Sequence, residues 1–159
     1  MGWDIYTKTS DGKEMFNPTL QHKKIIDTIY DKHHSLLDKK VTKILEKYNK
    51  CIIIDLHSYS SELVLKLFNY KDAPDICIGI EPMYYSENLV NYFIDFFTKN
   101  GYSVKINFPY EGSIVPNKYY GKKDTGIISI MLEINKRVYI KDFEKFKKVL
   151  NKSLEFIEY

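Results

Sequence analysis

Between Asn17 and Asn49 the apolar residues Ile26, Ile29, Tyr30, Leu37, Val41, Ile44, Leu45 and Tyr48 return at three- and four-residue steps. That spacing lines one face of a helix. Asn17 offers a cap and Pro18 suits the first helical position, so the pattern predicts one long amphipathic helix ending near Asn49. Cys51 to Leu56 is a short β-branched run leading into Asp55-Leu56-His57-Ser58. It fits a buried parallel strand that presents polar residues at its carboxyl end. Asp75 to Ile80 repeats this pattern, Ser86 opens a helix over Glu87 to Asn100, and Gly101 marks its stop. Tyr102 to Phe108 reads as a third strand and Gly126 to Ile134 as a fourth. Asp142 opens the last helix, where Phe143, Phe146, Val149, Leu150, Leu154 and Ile157 form a stripe opposite lysines.

Strands alternating with helices imply an α/β fold: a mostly parallel or mixed sheet of at least four strands, with helices on both faces. Two segments stand outside the alternation. Residues 1–16 read as loop with one hairpin around Asp11-Gly12. Pro109 to Thr125, holding Gly112, Pro116 and Gly121, is longer than most connections and is a candidate binding loop.

A chain of 159 residues with 44% apolar and 15% aromatic content can build one core, so a single α/β domain over 1–159 is expected. The 24 basic and 21 acidic residues leave a formal charge of +3, too slight and too even for a phosphate-tracking surface. Nucleic acid is therefore not an expected partner. No apolar stretch approaches the roughly 20 residues of a membrane helix, so no membrane association is expected either. Cys51 and Cys77 lie inside apolar runs, and the N-terminus resembles no secretory or transit segment. A reduced, cytoplasmic setting follows as the expectation.

Three constellations could carry chemistry. In the first, His57 leaves the end of an apolar strand while Asp55, two residues back, points to the same side. A neutral imidazole held by a carboxylate is well placed as a metal ligand; equally, His57 could merely satisfy that carboxylate. In the second, Glu133, Asn135 and Arg137 alternate near the end of the fourth strand and are expected to share one face. A carboxylate leaving an apolar sheet end is partly desolvated, which raises its pKa toward the range of a general base. The plainer alternative is a Glu133–Arg137 surface pair. In the third, Asn107, Tyr110, Gly112 and Ser113 sit in a Pro- and Gly-set loop that could approach a polar ligand, or could be ordinary turn residues under aromatic cover. His33 and His34 lie near the stripe of the long helix, His34 four residues from Asp38, and a core or interface role is the simpler reading. Ser58 beside His57 lacks a G-x-S-x-G elbow, so serine nucleophilic catalysis is set aside.

Taken in order, several segments resemble the successive motifs of the N-formylglutamate amidohydrolase family: the helix with His34, Asp55-Leu56-His57-Ser58, the strand from Asp75, Asn107 with Pro109-Tyr110-Glu111-Gly112, Tyr120-Gly121, and Leu132 to Tyr139. The resemblance runs from about Gly12 to about Tyr139. It implies a phosphorylase/hydrolase-like fold shared with zinc carboxypeptidases and hydrolysis of an amide on a small acidic amino-acid derivative. It further implies His57 as a zinc ligand and Glu133 as the carboxylate that deprotonates water and hands the proton to the leaving nitrogen. Arg137 and Asn135 would hold the substrate carboxylate, Asn107, Tyr110 and Gly112 would line the substrate, and Asp55, Ser58 and His34 would support the site from behind. Family members usually open with a strand ending in a Pro-His-x-Gly motif and an acidic residue that together supply two more ligands. Neither precedes Asp55. The chain is thus expected to match the C-terminal part of the longer fold, to bind zinc poorly alone, and to expose a sheet edge open to a complementing chain or a second copy. The alternative is a non-catalytic module that binds a ligand or partner in the same pocket.

Overall fold

The computed structural model describes residue 13 and residues 18–155. The hairpin expected around Asp11 and Gly12, the cap at Asn17 and the last stripe position Ile157 lie outside these residues. Helix α1 (Leu20–Tyr48) starts at a Thr19 cap, where the Thr19 hydroxyl accepts from the His22 amide and the His22 ring accepts from the Thr19 amide. This reciprocal pair satisfies two donors that no helical carbonyl can reach. Pro18 therefore precedes the cap instead of opening the helix. At the other end Asn49 adopts the left-handed conformation and donates its amide to Leu45.

The remaining elements are β1 (Cys51–Tyr59), α2 (Ser61–Phe68), β2 (Ile76–Ile80), α3 (Glu87–Lys99), β3 (Val104–Ile106), β4 (Ile127–Asn135), α4 (Lys136–Lys141) and α5 (Phe143–Glu155). The four strands form one sheet in the order β1-β4-β2-β3. β1 runs parallel to β4 and β2 parallel to β3, while β2 and β4 are antiparallel. The sheet is thus mixed. The third strand is shorter than Tyr102 to Phe108 because the Asn107 side chain turns back to accept from the Ile80 amide.

Each face of the sheet has its own cover. Even-numbered residues of β1, β2 and β4, among them Ile78, Ile130, Leu132 and Ile134, pack with α3 and α5 through Phe93, Phe97 and Phe146. On the odd-numbered face, Val41 of α1 covers Cys51 and Ile127 at one end, and Val64 of α2 joins Tyr59 and Cys77 at the other. Of the stripe expected on α1, Val41 alone is buried, and Ile29, Ile44 and Tyr48 are exposed. The lengths explain this: 29 helical residues span about 43 Å, whereas nine strand residues span about 30 Å. The helix overruns the sheet it covers.

The segment between β3 and β4 crosses the odd face between these two apolar clusters. Cys77 donates its thiol to the Tyr110 carbonyl, the Ile114 amide donates to Asp55, and the Ser129 hydroxyl donates to the Ile114 carbonyl. Gly79 lies beneath this crossing, where a Cβ would collide with the Gly112 carbonyl oxygen and the Met131 side chain.

Candidate functional site

Strand register brings the polar residues together. Cys77 of β2, Glu133 of β4 and His57 of β1 stand side by side in one row, and Gly79, Met131 and Asp55 form the neighbouring row on the same face. This part of the odd face is the polar gap between its two apolar clusters. Asp55 Oδ1 lies 2.8 Å from His57 Nε2. A carboxylate only accepts, so the proton of this contact sits on Nε2, and in the neutral ring Nδ1 presents a lone pair. Nδ1 faces Glu133, 4.0 Å from its Oε1.

Glu133 is 7% exposed, and its Oε2 has no hydrogen-bond partner among the described residues. Burial pushes its carboxyl above the usual carboxylate range; the His57 ring opposes the rise and the Asp55 charge adds to it. A lone carboxyl in a poorly solvated place favours its neutral form. Glu133 can therefore take up a proton more readily than a surface carboxylate.

The other expected site residues are placed differently. β4 ends at Asn135, which caps α4 by accepting from the Arg137 amide, so Arg137 leaves the alternation expected to put it on one face with Glu133. The Glu133–Arg137 pair does not form. Arg137 instead donates from Nε and Nη2 to Asp75 Oδ1 and from Nη2 to the Ala73 carbonyl. Asn135 is fully buried, and its amide nitrogen donates to Ser61 Oγ and to the Pro74 carbonyl. Asn107 receives the Ile80 amide on its side chain. Tyr110 packs edge-on against Tyr59, with 5.8 Å between ring centres. Gly112 holds φ of +81°, and a Cβ there would meet Glu81 at ordinary contact distance. Ser58 is exposed on the opposite face from His57 and, with Leu56, Phe143 and Phe146, lines a groove of about 420 Å³ along β1. This groove reaches His57 but neither Asp55 nor Glu133. His34 stays on α1, its ring 4.1 Å from that of Tyr30, and burial followed by the neighbouring His33 charge lowers its pKa.

Sequence pattern placed Ser113 in the candidate loop but gave its hydroxyl no role. Ser113 is 7% exposed and its hydroxyl has no partner among the described residues. A serine after a glycine in a loop is an ordinary turn residue by sequence, and only its burial distinguishes it.

A zinc ion would need more donors than this cluster offers. His57 Nδ1 and the Glu133 carboxylate face one space, whereas Asp55 sits on the other ring nitrogen. Among the described residues no group of three or more His, Cys, Asp or Glu side chains could hold a metal ion. Catalytic zinc takes three protein ligands, so the described residues do not by themselves fit one.

The sequence profile described as N-formylglutamate amidohydrolase matches residues 2–140. Among solved structures the chain is similar to an N-formylglutamate amidohydrolase from Ralstonia eutropha, with a TM-score of 0.68 and 19% identity, over 84% of this chain and 49% of that one. It is also similar to a gene product of Agrobacterium tumefaciens, with a TM-score of 0.61 and 15% identity, over 96% of this chain and 61% of that one. At these identities the likeness shows the fold, and the chain spans about half to three-fifths of those structures. No curated protein matches it. No helix among the described residues is long and apolar enough to cross a membrane.

Proposed function

The chain belongs to the N-formylglutamate amidohydrolase family, and from that premise we propose that it hydrolyses the amide of an N-acylated acidic amino acid such as N-formylglutamate. The observation that carries this reading is the buried Glu133 carboxyl facing His57 Nδ1, with 4.0 Å between Nδ1 and Oε1. Glu133 is the proposed general base: it takes a proton from water as the water oxygen bonds to the formyl carbon. The same proton then passes to the departing nitrogen, the carbon–nitrogen bond breaks, and formate and the free amino acid leave. Asp55 fixes the tautomer and orientation of His57, keeping Nδ1 turned to the reacting space. Zinc stays within the proposal as an ion that His57 Nδ1 would help to hold, its remaining ligands coming from outside the described residues or from a complementing chain.

Arg137 is the proposed holder of the substrate's side-chain carboxylate, since its fork matches two oxygens. It keeps 47% of its side chain exposed while paired with Asp75. Asn135 sets the turn that carries it, and the Asn107 to Gly112 segment covers the substrate. The setting is proposed as cytoplasmic, in keeping with two buried free thiols.

The test is formate release from N-formyl-L-glutamate by the purified chain, with and without added zinc. Glu133→Gln is expected to lower the rate by about 100-fold or more, and His57→Ala to lower both the rate and any retained metal. Full activity in Glu133→Gln would remove Glu133 from its assigned role. A second reading, a module that binds an acidic amino-acid derivative without metal, is favoured by the two-donor set. It expects that derivative to raise the melting temperature in the presence of a chelator, and it loses if zinc alone switches on hydrolysis.

A further inference from the structure

On the odd face of the sheet, two buried polar groups have no hydrogen-bond partner among the described residues. One is Glu133 Oε2, an acceptor, and the other is the Ser113 hydroxyl, which both donates and accepts. Both residues are 7% exposed. Leaving such groups unpaired is costly, roughly 1–3 kcal/mol each, so native proteins fill the place with water or ligand.

The backbone carries Ser113 over the strand row next to that of Glu133. Gly112 lies against Gly79, and the Ile114 amide reaches Asp55 Oδ2 at 3.3 Å. Gly79, Met131 and Asp55 form one row across three strands, so the segment 112–114 crosses that row with Ser113 at its centre. Glu133 is the next residue of β4 on the same face, two positions beyond Met131. The Ile114 carbonyl is held from below by the Ser129 hydroxyl, which fixes the segment on both sides of its crossing.

We propose that Ser113 is a positioning residue whose hydroxyl and Glu133 Oε2 together hold one water molecule, the water that Glu133 activates. A buried water needs two to four polar partners, and this pair supplies two. The water donates one hydrogen to Glu133 Oε2 and is held by Ser113 Oγ, leaving an oxygen lone pair for the acyl carbon. On attack the oxygen–carbon bond forms as that hydrogen moves to Glu133, and the proton later leaves with the amine. The fate of the water rests on the hydrolase reading; its presence does not.

The closing experiment has two readouts. In a crystal structure of the wild-type chain fine enough to show ordered water, a water is expected within hydrogen-bond distance of both Ser113 Oγ and Glu133 Oε2, and absent in Ser113→Ala. A dry site, or a Ser113 hydroxyl bonded to protein atoms alone, overturns the proposal whether or not the chain is active. In formate release, Ser113→Ala is expected to lower kcat by about 10- to 100-fold with KM within twofold, and Ser113→Thr, which keeps the hydroxyl, to recover part of that loss. An unchanged kcat, or a loss confined to KM, also overturns it. If the water is present and the wild-type chain releases no formate with zinc added, hydrolysis by this chain alone fails while the water-holding role of Ser113 stands.

Discussion

Glu133 gathers the tension of the site into one carboxyl. Burial favours its neutral form, so its folded pKa stands above that of the unfolded chain. Its contribution to stability is complete below the unfolded value of about 4.3 and is lost as pH rises through the folded one. Glutamine keeps the shape and does not titrate. Glu133→Gln is therefore expected to melt above the wild type at pH 8, by about 2–4 °C for each 1 kcal/mol relieved, with the gap closing by pH 4. Scanning calorimetry across that range checks it; a gap independent of pH would show that desolvation does not govern this residue. The pairing of Asp55 with His57 was legible in the sequence, because residues two apart on a strand share a side. The orphan hydroxyl of Ser113 was not, since an unmet hydrogen bond belongs to a three-dimensional neighbourhood and leaves no trace in spacing.

At the scale of elements, β1, β2, β4, α1, α3 and α5 could be read from apolar periodicity, and the two short helices could not. Helix α2 carries its own signal, a Ser60 cap accepting from the Leu63 amide and an Asn69 in the left-handed conformation at its end. Its brevity hid it beside the longer patterns. Helix α4 begins where Glu133, Asn135 and Arg137 still alternate as a strand would, and the cap at Asn135 is the cue that outweighs the alternation. The antiparallel pairing of β2 with β4 lay in how a 20-residue connection crosses the sheet, which no local pattern encodes. That crossing depends on a missing side chain. Gly79→Ala forces a methyl against the Gly112 carbonyl and Met131, at an expected cost of about 1–3 kcal/mol. Thermal unfolding measures the loss, and a variant as stable as the wild type would mean that segment 112–114 does not press on β2.

Across the whole molecule, Asp75 ties distant pieces together. Burial works against its charge, but the Ser103 amide and hydroxyl and the Arg137 guanidinium outweigh it and hold the carboxyl below its usual range. A depressed folded pKa contributes stability above the unfolded value of about 3.9, lost as pH falls through the folded one. Asp75→Asn is expected to cost about 1–3 kcal/mol at pH 7, and the difference from wild type to shrink on acidification toward pH 2. Urea titrations at the two pH values test this, and an equal deficit at both would contradict it. β4 is one of the two inner strands, with a parallel neighbour on one side and an antiparallel one on the other. A strand that slipped by one residue would carry Leu132 into the polar gap and drive Glu133 into the packed aromatics of α3 and α5. Misassembled copies would thus be unstable and would lose the facing of Glu133 and His57, so the register that makes the protein foldable also sets the candidate site.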